Sequence, residues 1–186
     1  MRCFIGIEIP TEIKRRLSDT AQRIGNVVGP RYRSIPEENF HITVKFLGDV
    51  EPPALRLLTE SLGQRAQRAK AVDFTIDTLS AFPSAASSRV IWAGGAPTID
   101  LLELVQEVEQ AAVDFGLPAE TRPFTPHITL LKLRNRQKPA SMQEMTTDET
   151  LLTPSLIPIR RLCLYASEPI GDSVSYRVLE AFPFIS

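Results

Sequence analysis

The chain has 186 residues, 43% of them hydrophobic and 23% charged, the balance of a globular protein long enough to bury a sizeable core and not of a disordered chain. A formal net charge of −1 excludes a strongly basic nucleic-acid coat, so any nucleic-acid contact has to be local, an end or a few nucleotides. Cys3 and Cys163 stand far apart, and with only two histidines in the chain they offer no paired ligand spacing for zinc.

In chain order, MRCFIGIEIP is interrupted too soon by Glu8 and Pro10 to read as a secretory leader. No apolar run approaches the roughly 18–20 residues of a membrane span, and a reducing cytoplasm is the expected location. RCFIGIEI, residues 2–9, is apolar and β-branched enough for a buried strand. Pro10 and Thr11 mark a helix start with Thr11 as N-cap; Ile13, Leu17 and Ile24 then fall on one stripe that stops at Gly25. A link containing Pro and Gly leads to NFHITVKFLG, residues 39–48, a strand closed by Gly48 and Asp49.

A second helix starts near Pro52 and Pro53 and runs through residues 54–70 with Leu55, Leu58 and Leu62 inward. AVDFTIDTLSAF (71–82) and SRVIWAG (88–94) read as two strands joined by a turn rich in Ser, Ala and Pro. The third helix has Pro97 near its start, Leu101, Leu104, Val105, Val108 and Ala112 on one face, and Gly116 at its end. The strand of the second histidine follows, then a polar stretch at 134–150 with room for a short helix. IPIRRLCLYASE and SVSYRVLEAFPF close the chain as paired strands around a turn at Gly171 and Asp172. So many hairpins exclude a doubly wound parallel sheet and predict an α+β fold with mainly antiparallel sheets.

Both histidines are followed by Ile, Thr and an aliphatic residue: HITV from His41 and HITL from His127. A lone strand histidine is most simply solvent-facing; two placed independently would rarely acquire the same context. Strand side chains alternate, so His41, Thr43 and Lys45 share one face and Ile42, Val44 and Phe46 the other. In the second copy His127 and Thr129 stand opposite Ile128 and Leu130. Leu131 and Lys132 then break the alternation, so the strand ends or bulges there. Histidine's unperturbed pKa of about 6.5 lets one copy accept a proton while the other donates one. Phosphodiester cleavage needs both operations. Thr43 and Thr129 can donate to the non-bridging phosphate oxygens, and the scheme requires no metal.

Two H-x-T-x motifs in a chain of this size resemble the 2H phosphoesterase superfamily. The flanking segments MRCFIGIEIP, ENFHITVKFLGDV, LSAFPS with RVIWAG, RPFTPHITLLK and YRVLEAFPF narrow the likeness. They are similar, in order and over essentially the whole chain, to the RNA 2′,3′-cyclic phosphodiesterases, the 2′-5′ RNA ligase or LigT-like family. The resemblance implies a single 2H phosphoesterase domain over residues 1–186. Its fold would be bilobal α+β: two interleaved, pseudo-twofold lobes, two mainly antiparallel sheets flanked by helices, and a central cleft. The implied reaction opens a 2′,3′-cyclic phosphate at an RNA end to a 2′-phosphomonoester, with no cofactor. By the same resemblance His41 is the proton donor to the leaving 3′ oxygen, His127 the base that activates water, and Thr43 and Thr129 the phosphate holders.

The alternatives are small cyclic nucleotides or ADP-ribose cyclic phosphate as substrate, 2′-5′ ligation of RNA, and non-catalytic RNA-end binding. RNA 3′ ends or small cyclic-phosphate nucleotides are the expected partners of a monomer with no membrane association. Lys45, on the predicted face of His41, and Arg122 and Phe124, ahead of His127 in RPFTPH, are candidate substrate contacts. KLRNRQK, residues 132–138, is a candidate basic rim. Trp92 and Tyr165 read as core or sheet-surface aromatics, and Cys3 and Cys163 as buried thiols without chemistry.

Overall fold

The computed structural model describes residues 1–29, 32–84, 88–134, 148, 150–171 and 173–185. Strand β1 (Arg2–Glu8) leads into helix α1 (Thr11–Val28), strand β2 (Tyr32–Ser34), a 3-10 turn (Glu37–Asn39) and strand β3 (His41–Asp49). Helix α2 (Pro52–Ala66), strands β4 (Val72–Ile76), β5 (Thr78–Phe82) and β6 (Val90–Gly94), helix α3 (Ile99–Asp114) and strand β7 (His127–Leu133) follow. Strands β8 (Ser155–Ile159), β9 (Arg161–Ile170) and β10 (Ser173–Pro183) complete the order. They build two four-stranded sheets, ordered β10-β9-β1-β3 and β2-β7-β6-β5, and a small sheet of β4 and β8. The strand pairings are antiparallel. The fold is thus the expected α+β class, with a third, two-stranded sheet added to the two expected.

Pairing registers reveal an internal twofold relation. β3 pairs with β1 and β1 with β9, while β7 pairs with β6 and β6 with β5. Glu8 opposite His41 corresponds to Gly94 opposite His127, and Gly6 opposite Thr43 to Trp92 opposite Thr129. The β4–β8 pair sits where the halves meet. Val72 faces Ile159, Phe74 faces Ile157 and Ile76 faces Ser155, a register unchanged when the halves exchange. The halves also interleave, because late β9 completes the sheet of β1 and β3 and early β5 completes that of β6 and β7.

The expected apolar stripes form the core. Ile13, Leu17 and Ile24 of α1, Leu58 and Leu62 of α2, and Leu101, Leu104, Val108 and Ala112 of α3 are buried. Thr98 caps α3 by accepting the Leu101 N–H. Other features differ from the sequence reading. Thr11 is the first helical residue of α1, with Pro10 in the cap position, and the helix passes Gly25 to end at Val28. Gly25 serves close packing instead: the Tyr32 phenol lies against it and leaves no room for a Cβ. The stop is Gly29, whose φ of 78° suits glycine. Helix α2 ends at Ala66, short of residue 70.

Residues 71–82 and IPIRRLCLYASE, each expected as one strand, each divide into two that serve different sheets. The cause is the same in both halves. Two consecutive exposed residues, Asp77 and Thr78 or Arg160 and Arg161, slip the alternation by one and turn the apolar face toward another partner. Strand β2 lies in the link between α1 and the 3-10 turn; three residues carry no alternation, and pairing with β7 defines it. The short helix expected within 134–150 falls on positions outside the described residues, as does Asp172 of the final turn. No helix among the described residues is long and apolar enough to cross a membrane.

Candidate active site

His41 opens β3 and His127 opens β7. Each ring is held through Nδ1, which donates to the carbonyl oxygen two residues upstream: Asn39 at 2.6 Å and Thr125 at 2.7 Å. A carbonyl only accepts, so Nδ1 carries hydrogen in both rings and Nε2 is left for chemistry. In neutral His41, Nε2 accepts from the Thr43 hydroxyl at 3.0 Å. Strands β3 and β7 approach each other between the two large sheets. His127 and Lys132 stand close enough to His41 for their positive charges to disfavour its protonation.

The alternation of both motif strands breaks at the same place. Ile5 faces Lys45 and Gly6 faces Thr43, so Val44 is an extra residue. Ile91 faces Leu131 and Trp92 faces Thr129, so Leu130 is its counterpart. One inserted residue sends every later side chain to the opposite face. In β7 the strand bulges and does not end, the second of the two outcomes the sequence left open; the bulge turns Leu131 inward and puts exposed Lys132 on the face of His127 and Thr129. In β3 the unexpected twin bulge turns Phe46 outward, where it is 69% exposed beside the His41 face.

The assignment of Lys45 to the face of His41 is therefore incorrect. Lys45 lies inward with Ile5, is 7% exposed, and donates from Nζ to Glu109 Oε1 and to the Pro118 carbonyl, both at 2.7 Å. It ties β3 to α3 and to the loop that leads into β7, and makes no surface for substrate.

A small apolar cluster separate from the main core, Phe4, Cys163 and Tyr165 with Tyr176 packed on it, walls His41. Phe4 lies 4.7 Å, Tyr176 4.8 Å and Tyr165 5.8 Å from the imidazole centroid, Tyr176 edge-on at 81°. His127 meets Phe82 edge-on at 4.9 Å and Trp92 at 5.8 Å. Tyr165 and Phe82 hold corresponding strand positions, so the aromatic setting is duplicated along with the motif. Excluding water penalises the imidazolium form. Burial brings the His41 pKa down from 6.5 to about 4, against an upward pull from the Asn39 carbonyl. His127 is lowered by the same primary cause, with the Thr125 carbonyl opposing. Cys3 and Cys163 are buried free thiols.

The remaining sequence candidates separate. Arg122 is exposed, and its Nε and Nη2 donate to the two carboxylate oxygens of Glu120 at 3.0 and 2.8 Å, which holds the Glu120 carboxyl at about 2. Phe124 is half-buried against the core. Lys132 and Arg134 are the described cations of the 132–138 segment; residues 135–138 lie outside the described residues. Trp92 and Tyr165, core or sheet-surface aromatics by sequence, stand against the two imidazoles, and Phe4, Phe82, Tyr176 and Asn39 join them. Cross-strand register brings these together, which one strand's own pattern does not reveal. Phe46 did carry a signal: the alternation break at Leu131 and Lys132, transferred to Lys45 and Phe46, puts the phenyl ring on the outer face. Among the described residues no group of three or more His, Cys, Asp or Glu side chains is placed to hold a metal ion.

Comparison with known proteins bears on these features. A family model described as LigT like phosphoesterase matches residues 7–92 and 96–176. An RNA 2′,3′-cyclic phosphodiesterase of Thermotoga maritima is 27% identical over 96% of this chain and 93% of that protein. A protein of the same name from Geobacillus stearothermophilus is 26% identical over 98% of this chain, which spans 57% of the relative's length. LigT of E. coli, crystallised with 3′-AMP, superimposes with a TM-score of 0.75 at 24% identity, covering 100% of this chain and 98% of that one.

Proposed function

The chain belongs to the LigT-like phosphoesterase family, and we propose that it opens 2′,3′-cyclic phosphates at RNA ends to 2′-phosphomonoesters by metal-independent acid–base catalysis on two histidines. The observation that carries the reading is one arrangement made twice. Two imidazoles are each fixed through Nδ1 by a carbonyl two residues upstream. Each begins a strand whose third residue is a threonine, and the two strands approach each other. The names of the T. maritima and G. stearothermophilus relatives and the 3′-AMP complex of E. coli LigT support it.

In this reading residues 1–186 work as one domain of two interleaved lobes. His127 Nε2 takes a proton from water, whose oxygen forms the new bond to phosphorus. The bond from phosphorus to the 3′ oxygen breaks, and His41 gives that oxygen its proton. Thr43 and Thr129 donate to the two non-bridging oxygens, whose negative charge grows as water adds. Ligand-free His41 is neutral at pH 7, so its donor role depends on the bound diester's charge to raise its proton affinity. The kcat profile, which titrates the complex, then lies at higher pH than the kcat/KM profile, which titrates the free protein.

The surroundings favour an RNA end over a free cyclic nucleotide. Lys14 and Lys132 act electrostatically on His41, and Arg2 and Arg33 on Tyr176 beside it, more positive charge than one diester requires. Exposed Phe46 offers a flat face for a base. The test is to incubate RNA ending in a 2′,3′-cyclic phosphate with the protein in EDTA, beside 2′,3′-cyclic mononucleotides, and to locate the phosphate in each product. A 2′-phosphate released from RNA at full rate, faster than from the mononucleotide, supports the reading. A 3′-phosphate, a requirement for added divalent metal, or preference for the mononucleotide contradicts it.

A further inference from the structure

We propose that Asn39 is the positioning residue for His41: its side-chain amide clasps β10 to the start of β3, fixing at once the acceptor and the aromatic wall of the imidazole. Strands β3 and β10 are the opposite edges of their sheet. Asn39 sits in the 3-10 turn just ahead of β3, yet its Nδ2 donates to the Val174 carbonyl at 2.7 Å and its Oδ1 accepts the Tyr176 N–H at 3.2 Å. Val174 and Tyr176 are two apart on β10, so the amide takes the place of a neighbouring strand's peptide. The sheet curls until its edges meet beside His41, and one side chain joins them.

The clasp reaches the ring at two points. The Asn39 carbonyl accepts the His41 Nδ1–H at 2.6 Å, and its backbone is held in turn by the bond from Asn39 N–H to the Pro36 carbonyl. Tyr176, whose N–H the amide holds, sets its own ring edge-on 4.8 Å from the imidazole. Asn39 is 7% exposed and both amide bonds are partly buried, so losing either partner leaves a polar group shielded from much of the solvent without its bond. Its counterpart in the second half is Thr125, which offers the same carbonyl to His127 from an exposed position between Pro123 and Pro126. There the chain's own stiffness stands where the clasp stands in the first half.

The proposal rests on His41 acting in the reaction, but its main test needs no turnover. The chain has two histidines, so each imidazole can be followed alone by NMR as pH is varied. In Asn39→Ala the edge opens and water reaches the ring, so the His41 titration is expected to rise from about 4 toward 6.5 while that of His127 stays in place. With cyclic-phosphate RNA, kcat falls roughly 10²-fold, as for a misplaced catalytic group, and KM changes little. Asn39→Asp keeps an acceptor for Tyr176 and loses the donor to Val174; it is expected to fall between, and it serves if the alanine variant does not fold. Unchanged His41 titration in a folded variant, an equal shift of both histidines, or native kcat would overturn the proposal. A wild-type protein that turns over no cyclic phosphate but shows the selective shift would overturn the catalytic reading and leave the clasp standing.

Discussion

His41 and His127 begin equivalent strands and hold equivalent carbonyl bonds, but their pockets differ. The first ring is enclosed by Phe4, Tyr165 and Tyr176 under a clasped sheet edge; the second rests on Phe82 and Trp92 beside a proline-bounded loop. The duplication supplies two like groups aimed alike. Burial lowers the proton affinity of both rings, that of His41 to about 4, so the acid–base division proposed for them draws on the charge of the bound phosphate. Symmetry sets the geometry, and the break in symmetry sets how closely each ring is enclosed.

Substitution of either ring tests the first half of that statement. His41→Ala and His127→Ala are each expected to lower kcat by about 10²–10⁴-fold, the range of a single general acid or base, with folding retained by circular dichroism. The double variant should lose far less than the product of the two, because the groups act as one unit; multiplicative losses would speak for independent roles. Thr43→Ala and Thr129→Ala probe the pair below the rings. Each should cost about 10²–10³-fold in kcat, the worth of one donor to a developing oxyanion, seen in steady-state kinetics on cyclic-phosphate RNA.

The second half of the statement is legible in stability. Unfolded, His41 titrates near 6.5; folded, near 4. The unfolded chain binds that proton first, so the contribution of neutral His41 is complete above pH 6.5. It is lost as pH falls from there through 4, about 3 kcal/mol in all. Urea unfolding at pH 7.5 and 4.5 should show this loss in the wild type beyond what His41→Gln shows; equal pH dependence would deny the buried neutral ring.

The smallest effect tests what joins the halves. Lys45→Met removes the donor to the Pro118 carbonyl and leaves the Glu109 carboxylate with the Glu120 N–H but without its cation. It should cost about 2 kcal/mol in urea unfolding, below the ~3–5 kcal/mol of a fully buried pair, because Glu109 is partly exposed.

What the sequence discloses is local and periodic. The three helical stripes and the two histidine strands, with His41 beside Thr43 on one and His127 beside Thr129 on the other, follow from spacing within single elements. The register between strands lies outside that reach. The bulge at Val44 reverses Lys45 and Phe46, and no residue in HITVKF itself interrupts the apolar–polar count; only the break in the matching HITLLK signals it ahead of the pairing with β1. The division of the strands at Asp77 and at Arg160 was legible in principle, since two polar neighbours interrupt an alternating run in each case. The role of Asn39 was not, because its partners Val174 and Tyr176 are backbone groups on the far edge of the sheet.

The most direct measurement of whether both imidazoles address one phosphate is an NMR titration of the two histidine rings with a 2′-phosphomonoester nucleotide. Both resonances are expected to move along a single saturation curve, each ring gaining proton affinity as the anion binds. Movement of only one ring, or two curves with different midpoints, would contradict a shared site.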